Sequence, residues 1–369
     1  MKLSISKDQL IAGLQAVQNI VSTRTTLPIL SNVHLRAEEN RLYLTATDLD
    51  VTVACGVEAQ ISSPGATTIP VKRFFSIVRE LPVGEVELET DDKNQTKLSA
   101  AASFYKLHGL SADEFPPVTT FKETGSVTLP QEKFKALLKK TSIAISMDES
   151  RYVLNGVFMK FTPEKLVMVS TDGRRLALTE EDLPAGSTAT GEIIVPTKAV
   201  NELNRLLQTK GDVEIRFTDN QISFRLKDET AFSVLLISKL VEGTYPNYQQ
   251  VIPKEAKERI TLMREEFLGA LRRTELMTND KSNSVKLAFT KNNLTITANT
   301  ADVGEARESI AINYKGKDIS IAFNPGYLMD PLKVVETDEV YLELSDELSP
   351  GSVKVNTPFH YVLMPMRMT

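Results

Sequence analysis

Two acidic pairs are the first candidates for chemistry: Asp48 and Asp50 in a D-x-D spacing, and the adjacent Asp91 and Asp92. Carboxylates this close could hold a divalent cation or share a proton. Both pairs fall at the ends of alternating apolar–polar runs, where Asp more commonly bonds its own backbone in a turn. His34 and His360 lie inside such runs and His108 near the end of one, so a structural place is expected for each ahead of a base or ligand role. Cys55, the only cysteine, sits in Val53-Ala54-Cys55-Gly56 and reads as a small core residue. The chain has no glycine-rich phosphate loop, dinucleotide fingerprint, nucleophile elbow or HExxH motif. A chain so poor in reactive constellations is expected to bind rather than catalyse, with no metal and no cofactor.

The composition agrees with a folded, water-borne protein. Hydrophobic residues are 41% and charged residues 25% of 369, and no apolar run is long enough to span a bilayer. The first residues, Met1 to Asp8, carry no apolar segment of the secretory kind. A single cysteine permits no intrachain disulfide and suits a reducing cytoplasm. At roughly 100–200 residues per domain the length predicts two to four domains. A net charge of −5 excludes a nucleic-acid binder that works by bulk positive charge, though not one with a segregated basic face.

The elements that would position such a face repeat. Helical periodicity begins near Lys7, Pro70, Pro130, Pro196, Met263 and Asn324, every 60–67 residues. Strand-like alternation follows each helix. Asn32–Ala37 with Arg41–Asp48 returns as Gly156–Phe161 with Lys165–Asp172, and again as Ser284–Phe289 with Asn293–Asn299. A second type opens with Gly84-Glu85-Val86, Gly211-Asp212-Val213 and Asp338-Glu339-Val340. The chain therefore reads as α+β, with three tandem domains of two helix-plus-antiparallel-strand halves each. Their expected bounds are 1–121, 126–250 and 253–369. A half of about 60 residues buries too little to be secure alone, so halves should pair into a shared core.

Charge segregates onto the helices. The windows 70–81, 130–141 and 196–210 carry +2, +3 and +2, and all six windows together carry +6, leaving −11 for the rest. Lys72, Arg73 and Arg79 face away from the apolar stripe of Val71, Phe74 and Val78. Lys198 and Arg205 lie opposite Leu203, Leu206 and Leu207, and Lys133, Lys135, Lys139 and Lys140 lie opposite Phe134, Leu137 and Leu138. A surface of this kind suits phosphate contact without base reading, although basic residues also simply solvate the backs of helices.

Five runs carry a family resemblance: Thr26-Leu27-Pro28-Ile29-Leu30, Pro64 to Pro70, Arg151-Tyr152-Val153-Leu154-Asn155-Gly156, Thr171-Asp172-Gly173-Arg174-Arg175-Leu176, and Met364-Pro365-Met366-Arg367-Met368. Together they resemble the bacterial DNA polymerase III beta subunit, the sliding clamp, over the whole chain. The resemblance implies a head-to-tail homodimer that closes a six-domain ring around double-stranded DNA without regard to sequence, with helices lining the hole. It further implies a processivity factor with no reaction of its own, which tethers the polymerase alpha subunit, the clamp loader, other polymerases and repair proteins through short peptides, in the cytoplasm and away from membranes. Carried over residue by residue, Arg24, Lys72 and Tyr152 become duplex contacts. The helix faces add Arg79, Lys198 and Arg205. The implied peptide pocket is Leu154, Thr171, Gly173, Arg174, Arg175, Leu176, Pro246, Val251, Asn324, Tyr327, Val362, Met364, Pro365, Met366 and Arg367. Methionine would supply its adaptable lining and the prolines its stiff walls. Ring closure is expected at Tyr105 and Leu107 against Leu276 and Met277, with Arg73 nearby. Val153 and Gln250 depart from residues common in the family, an aromatic and an arginine. Two other readings of the residues are a peptide-binding scaffold that ignores DNA and a hydrolase built on the acidic pairs.

Overall fold

The computed structural model describes residues 1–21, 26–118, 125–228, 232–279 and 283–367. The first third of the chain runs β1 (Lys2–Ser6), α1 (Lys7–Val17), β2 (Asn32–Glu38), β3 (Arg41–Thr47), β4 (Val51–Glu58), β5 (Gln60–Ser63), β6 (Gly65–Pro70), α2 (Val71–Glu80), β7 (Glu85–Thr90), β8 (Gln95–Ala100) and β9 (Ser103–His108). The middle third runs β10 (Ser126–Pro130), α3 (Gln131–Ser142), β11 (Gly156–Phe161), β12 (Lys165–Thr171), β13 (Arg175–Asp182), β14 (Gly191–Pro196), α4 (Thr197–Leu206), β15 (Asp212–Phe217), β16 (Gln221–Lys227) and β17 (Ser233–Lys239). The last third runs β18 (Glu258–Met263), α5 (Arg264–Glu275), β19 (Val285–Thr290), β20 (Asn293–Thr300), β21 (Gly304–Ala311), β22 (Ile319–Phe323), α6 (Pro325–Val334), β23 (Glu339–Leu344), β24 (Gly351–Lys354) and β25 (Phe359–Leu363). Every helix starts within one residue of the periodicity's expectation.

Local chemistry explains several of these starts. The Ser6 hydroxyl accepts from Gln9 N at 3.3 Å and caps α1. Asn324 caps α6 by accepting from Tyr327 N at 3.1 Å, with Pro325 preset in the first turn. The apolar stripes go inward: Leu10, Leu14 and Val17 on α1, Phe74 and Val78 on α2, Phe267 and Leu271 on α5, Leu328 and Leu332 on α6. Each such side chain is worth about 1.5–3 kcal/mol on burial.

The sheets do not respect the repeat. Antiparallel ladders give four sheets among the described residues, ordered β5-β1-β7-β8-β9, β10-β15-β16-β17-β4-β3-β2-β6, β14-β11-β12-β13-β25-β24-β23-β18 and β21-β20-β19-β22. The second sheet joins the first third to the middle third through β4 and β17, with Leu236 opposite Val53. The third joins middle to last through β13 and β25, with Ala177 opposite Tyr361. Accordingly the chain clusters into two compact units that mix the thirds. One holds 1–135, 183–190 and 198–240; the other holds 136–182, 191–197 and 241–369. No helix among the described residues is long and apolar enough to cross a membrane.

Candidate functional site

The second unit holds a small buried apolar cluster built on its eight-stranded sheet. Leu154, Leu176 and Val362 are 7%, 1% and 3% exposed and belong to one cluster with Phe158, Val169, Ile194 and Tyr245. The segment Val241–Ile252 folds over it. Tyr245 stacks on Phe158 at 4.9 Å between ring centroids, and Tyr248 lies 5.9 Å from the same ring. Burial pushes the Tyr245 hydroxyl above its ordinary range. Pro246 and Val251 on this segment stand exposed at the rim.

One wall is the turn between β12 and β13. Asp172 Oδ1 accepts from Arg174 N at 2.8 Å and from Arg175 N at 3.0 Å, while the Thr171 hydroxyl donates to Arg175 O at 2.6 Å. The turn needs φ +85° at Gly173, which an L side chain rarely adopts. The other wall is the segment after β25. Met364 N donates to Arg174 O at 2.8 Å and Met366 N to Ala322 O at 2.7 Å. Pro365 between them has no amide to satisfy. The two methionines remain 45% and 38% exposed.

Arg175 ties the walls together. Its guanidinium bonds Asp172 at 3.1 Å, pairs with Asp330 of α6, and lies 4.3 Å over the ring of Tyr327. Burial opposes its charge, but the buried Tyr361 hydroxyl, Asp330 and Asp172 outweigh this and raise its pKa. The structure thus brings Leu154, Leu176 and Val362 together as the floor, with Thr171, Gly173, Arg174, Arg175, Asn324, Tyr327, Met364, Pro365 and Met366 in linked walls. Arg367 is exposed on the same tail. Asp330, Phe158, Tyr245 and Tyr248 escaped the sequence reading. An aromatic pair flanking Pro246 was the available signal for the last two.

The basic positions fare differently. Lys72 and Arg73 are exposed, and Arg79 pairs with Glu80 at 3.0 Å while both remain open to solvent. Lys198 pairs with Asp48 and reaches Ile20 O at 3.5 Å. Arg205 donates to Gln15 O at 2.9 Å and Ala16 O at 2.7 Å, with Glu202 at 2.7 Å. Both are occupied in holding α4 to the end of α1. Lys135 likewise donates to Leu207 O at 2.7 Å, and burial lowers the pKa of Lys140. Tyr152 is 57% exposed on a 3-10 turn, beside Val153, which packs where Gly243 (φ +122°) leaves room. Arg24 lies outside the described residues.

At the expected ring joint, Leu276 is 75% and Tyr105 39% exposed, and Met277 is half-buried. Leu107 is only 6% exposed, buried within its own protomer, whereas Tyr105 two residues before it on β9 stays open. Phe104, 62% exposed on that strand, went unnoticed in the sequence and is the most exposed apolar side chain of β9.

The acidic pairs serve turns. Asp48 Oδ1 accepts from Asp50 N and Val51 N, and Asp91 Oδ1 from Lys93 N and Gln95 N, which holds the Asp91 carboxyl below its usual range. His34 stacks on Phe115 at 5.2 Å, and burial raises the Cys55 thiol to about 12. No group of three or more His, Cys, Asp or Glu assembles among the described residues. An open cleft of about 920 Å³ in the first unit, between Ser4, Gln9, Arg41, Glu58 and Gln60, holds none of the expected site residues.

The pieces define a class first: a tandem α+β repeat protein with exposed methionines beside a buried apolar cluster and an exposed basic face on α2. Family models narrow it. The DNA polymerase III beta subunit N-terminal domain matches residues 1–120, its central domain 128–247 and its C-terminal domain 249–367. The chain belongs to the DNA polymerase III beta subunit family. It is 34% identical over 368 residues to the beta sliding clamp of Chlamydia pneumoniae, covering 100% of this chain and 99% of that one. A DnaN sliding clamp from Bartonella birtlesii, solved with griselimycin bound, superposes with a TM-score of 0.94 at 34% identity, and the clamp of Bacillus subtilis with 0.94 at 29%, each covering both chains fully.

Proposed function

We propose that the chain is a DNA sliding clamp. Two copies close head to tail around a duplex, and the docking surface of the second unit tethers the replicative polymerase. The clamp loader, other polymerases and repair proteins would reach the same surface by short peptides, in the cytoplasm. The protein carries no reaction of its own in this reading, and its three clamp domains take the bounds 1–121, 126–250 and 253–369.

One observation carries the ring. The third strand after the first helix of one third pairs with the third strand after the second helix of the next third: β4 with β17, β13 with β25. By the same rule β21 should pair with β9, yet each is left at the edge of its own sheet. An unsatisfied edge invites another strand, and a head-to-tail contact that closes after two copies gives a ring. Lys72, Tyr152 and Arg24 are the proposed duplex contacts, with Arg73 near the ring joint. Because the ring holds DNA topologically, these need only be weak and sequence-blind. Lys198 and Arg205 keep their charge near the duplex while bonded elsewhere. Tethering converts polymerase rebinding into an intramolecular event at high effective concentration.

The direct test of the joint is sedimentation at micromolar protein, where the mass should be twice that of one chain. A monomer at that concentration would discard the ring.

A further inference from the structure

We infer that Arg79 joins the two copies of the ring by capping the end of α5 in the second copy, and is not a duplex contact. The inference rests on the ring proposed above and adds a specific bond to it.

The bond already exists once inside the chain. Where β4 meets β17, the Arg205 fork of α4 donates to the carbonyls of Gln15 and Ala16 at the end of α1. Ladder registers give the equivalent positions elsewhere. Asn32 lies opposite Pro70 in the β2–β6 pair, and Gly156 opposite Pro196 in the β11–β14 pair; α2 and α4 begin at the next residue. Lys72 and Arg79 therefore occupy in α2 the places of Lys198 and Arg205 in α4.

The acceptors correspond too. Lys7 N donates to Gly84 O and Arg264 N to Asp338 O, which sets α1 and α5 in the same register. Counting onward, Gln15 and Ala16 correspond to Arg272 and Arg273. The helices close with a matching bond, although α5 runs one residue longer than α1. Ile20 N bonds to Val17 O, and its counterpart Met277 N to Thr274 O. In an unbroken helix these amides would have returned to the carbonyls of Ala16 and Arg273. In each case that carbonyl is left for another donor.

The remaining intrachain joint shows why the residue type matters. Where β13 meets β25, the place of Arg205 is taken by Lys333, which turns to Asp330 at 3.4 Å. A lysine has no planar fork to bridge two carbonyls. Arginine occurs at the joint inside the first unit and, as Arg79, at the place expected between copies. Its present partner Glu80 is an exposed neighbour, so release from it is easy. Lys72 differs. The acid that holds Lys198 is Asp48, and the counterpart of Asp48 is Thr300, whose hydroxyl donates to Met277 O at 2.7 Å. The position of Asp48 thus offers Lys72 no carboxylate, which leaves Lys72 more available to phosphate than Lys198.

The test is the monomer–dimer dissociation constant without DNA, by sedimentation. Arg79→Ala should raise it tenfold or more with an unchanged melting profile at protomer level. Arg79→Lys should recover little of the loss. Arg225→Ala, an exposed arginine on β16, should stay within twofold of the parent. A constant for Arg79→Ala within twofold of the parent overturns the inference, as does full recovery by lysine. A parent protein that never dimerises is read from the unmutated sample and removes the ring itself.

Discussion

Met364 and Met366 stand over a floor of buried Leu176 and Val362, their backbone amides bonded and their side chains open. Lys198 and Arg205 are also partly open, but their charged groups are committed to Asp48 and to the end of α1. Both regions look like binding surfaces in a sequence. In the docking surface, packing fixes the backbone and leaves adaptable side chains for a partner. On α4 the charge itself fixes the packing. A cation counted on a helix back is thus not yet a cation offered to DNA, whereas an exposed methionine held only by its backbone amide is open to contact.

The comparison can be broken or sharpened by substitution. The largest effect is expected at Arg175, 13% exposed between Asp172 and Asp330. Arg175→Ala strands two partly buried carboxylates and should cost about 2–4 kcal/mol of stability, read by chemical unfolding. A loss below 1 kcal/mol would mean that the walls stand without it. Replacing Met364 and Met366 together by Ala should weaken a polymerase-tail peptide by about 2 kcal/mol, roughly thirtyfold, with the dimer intact by sedimentation. Unchanged peptide affinity would end the pocket assignment. Arg205→Ala should cost about 1–2 kcal/mol of stability through two lost carbonyl bonds, yet reduce retention on circular DNA less than Lys72→Ala does. The reverse order would return Arg205 to the duplex.

The smallest effect concerns pH. Burial first, then the Lys354 charge, holds the His360 imidazole at about 4, against a lesser opposing pull from Glu343. Its ordinary value is 6.5, so between these limits the unfolded chain binds more protons than the folded one. The stability this contributes is complete above about pH 6.5 and is lost as pH falls toward 4. His360 is only half-buried, so about 1 kcal/mol is expected. His360→Gln should flatten that slope in unfolding curves taken across the window, and an unaltered slope would place the proton elsewhere.

Helix positions were legible because apolar spacing of 3.6 and the strand before each helix leave a local trace. The joining of β4 to β17 left none, since residues far apart in sequence meet only when two sheet edges find each other. Two pieces of the proposed docking surface left a local trace: Thr171 to Leu176 is a turn that needs Gly173, and Met364 to Met366 is a segment whose alternate amides bond while Pro365 has none to satisfy. Asp330 was illegible, because its place in the site comes from meeting Arg175 across 155 residues. Leu107 and Phe104 show the finer limit. Their run has the right composition for an interface, but only the side on which β9 lies against its neighbour decides which residue is buried.

Retention on DNA tests the topological account most directly. Protein loaded onto circular duplex should stay bound through a salt wash and be released once the circle is cut. Equal retention before and after linearisation would contradict encirclement.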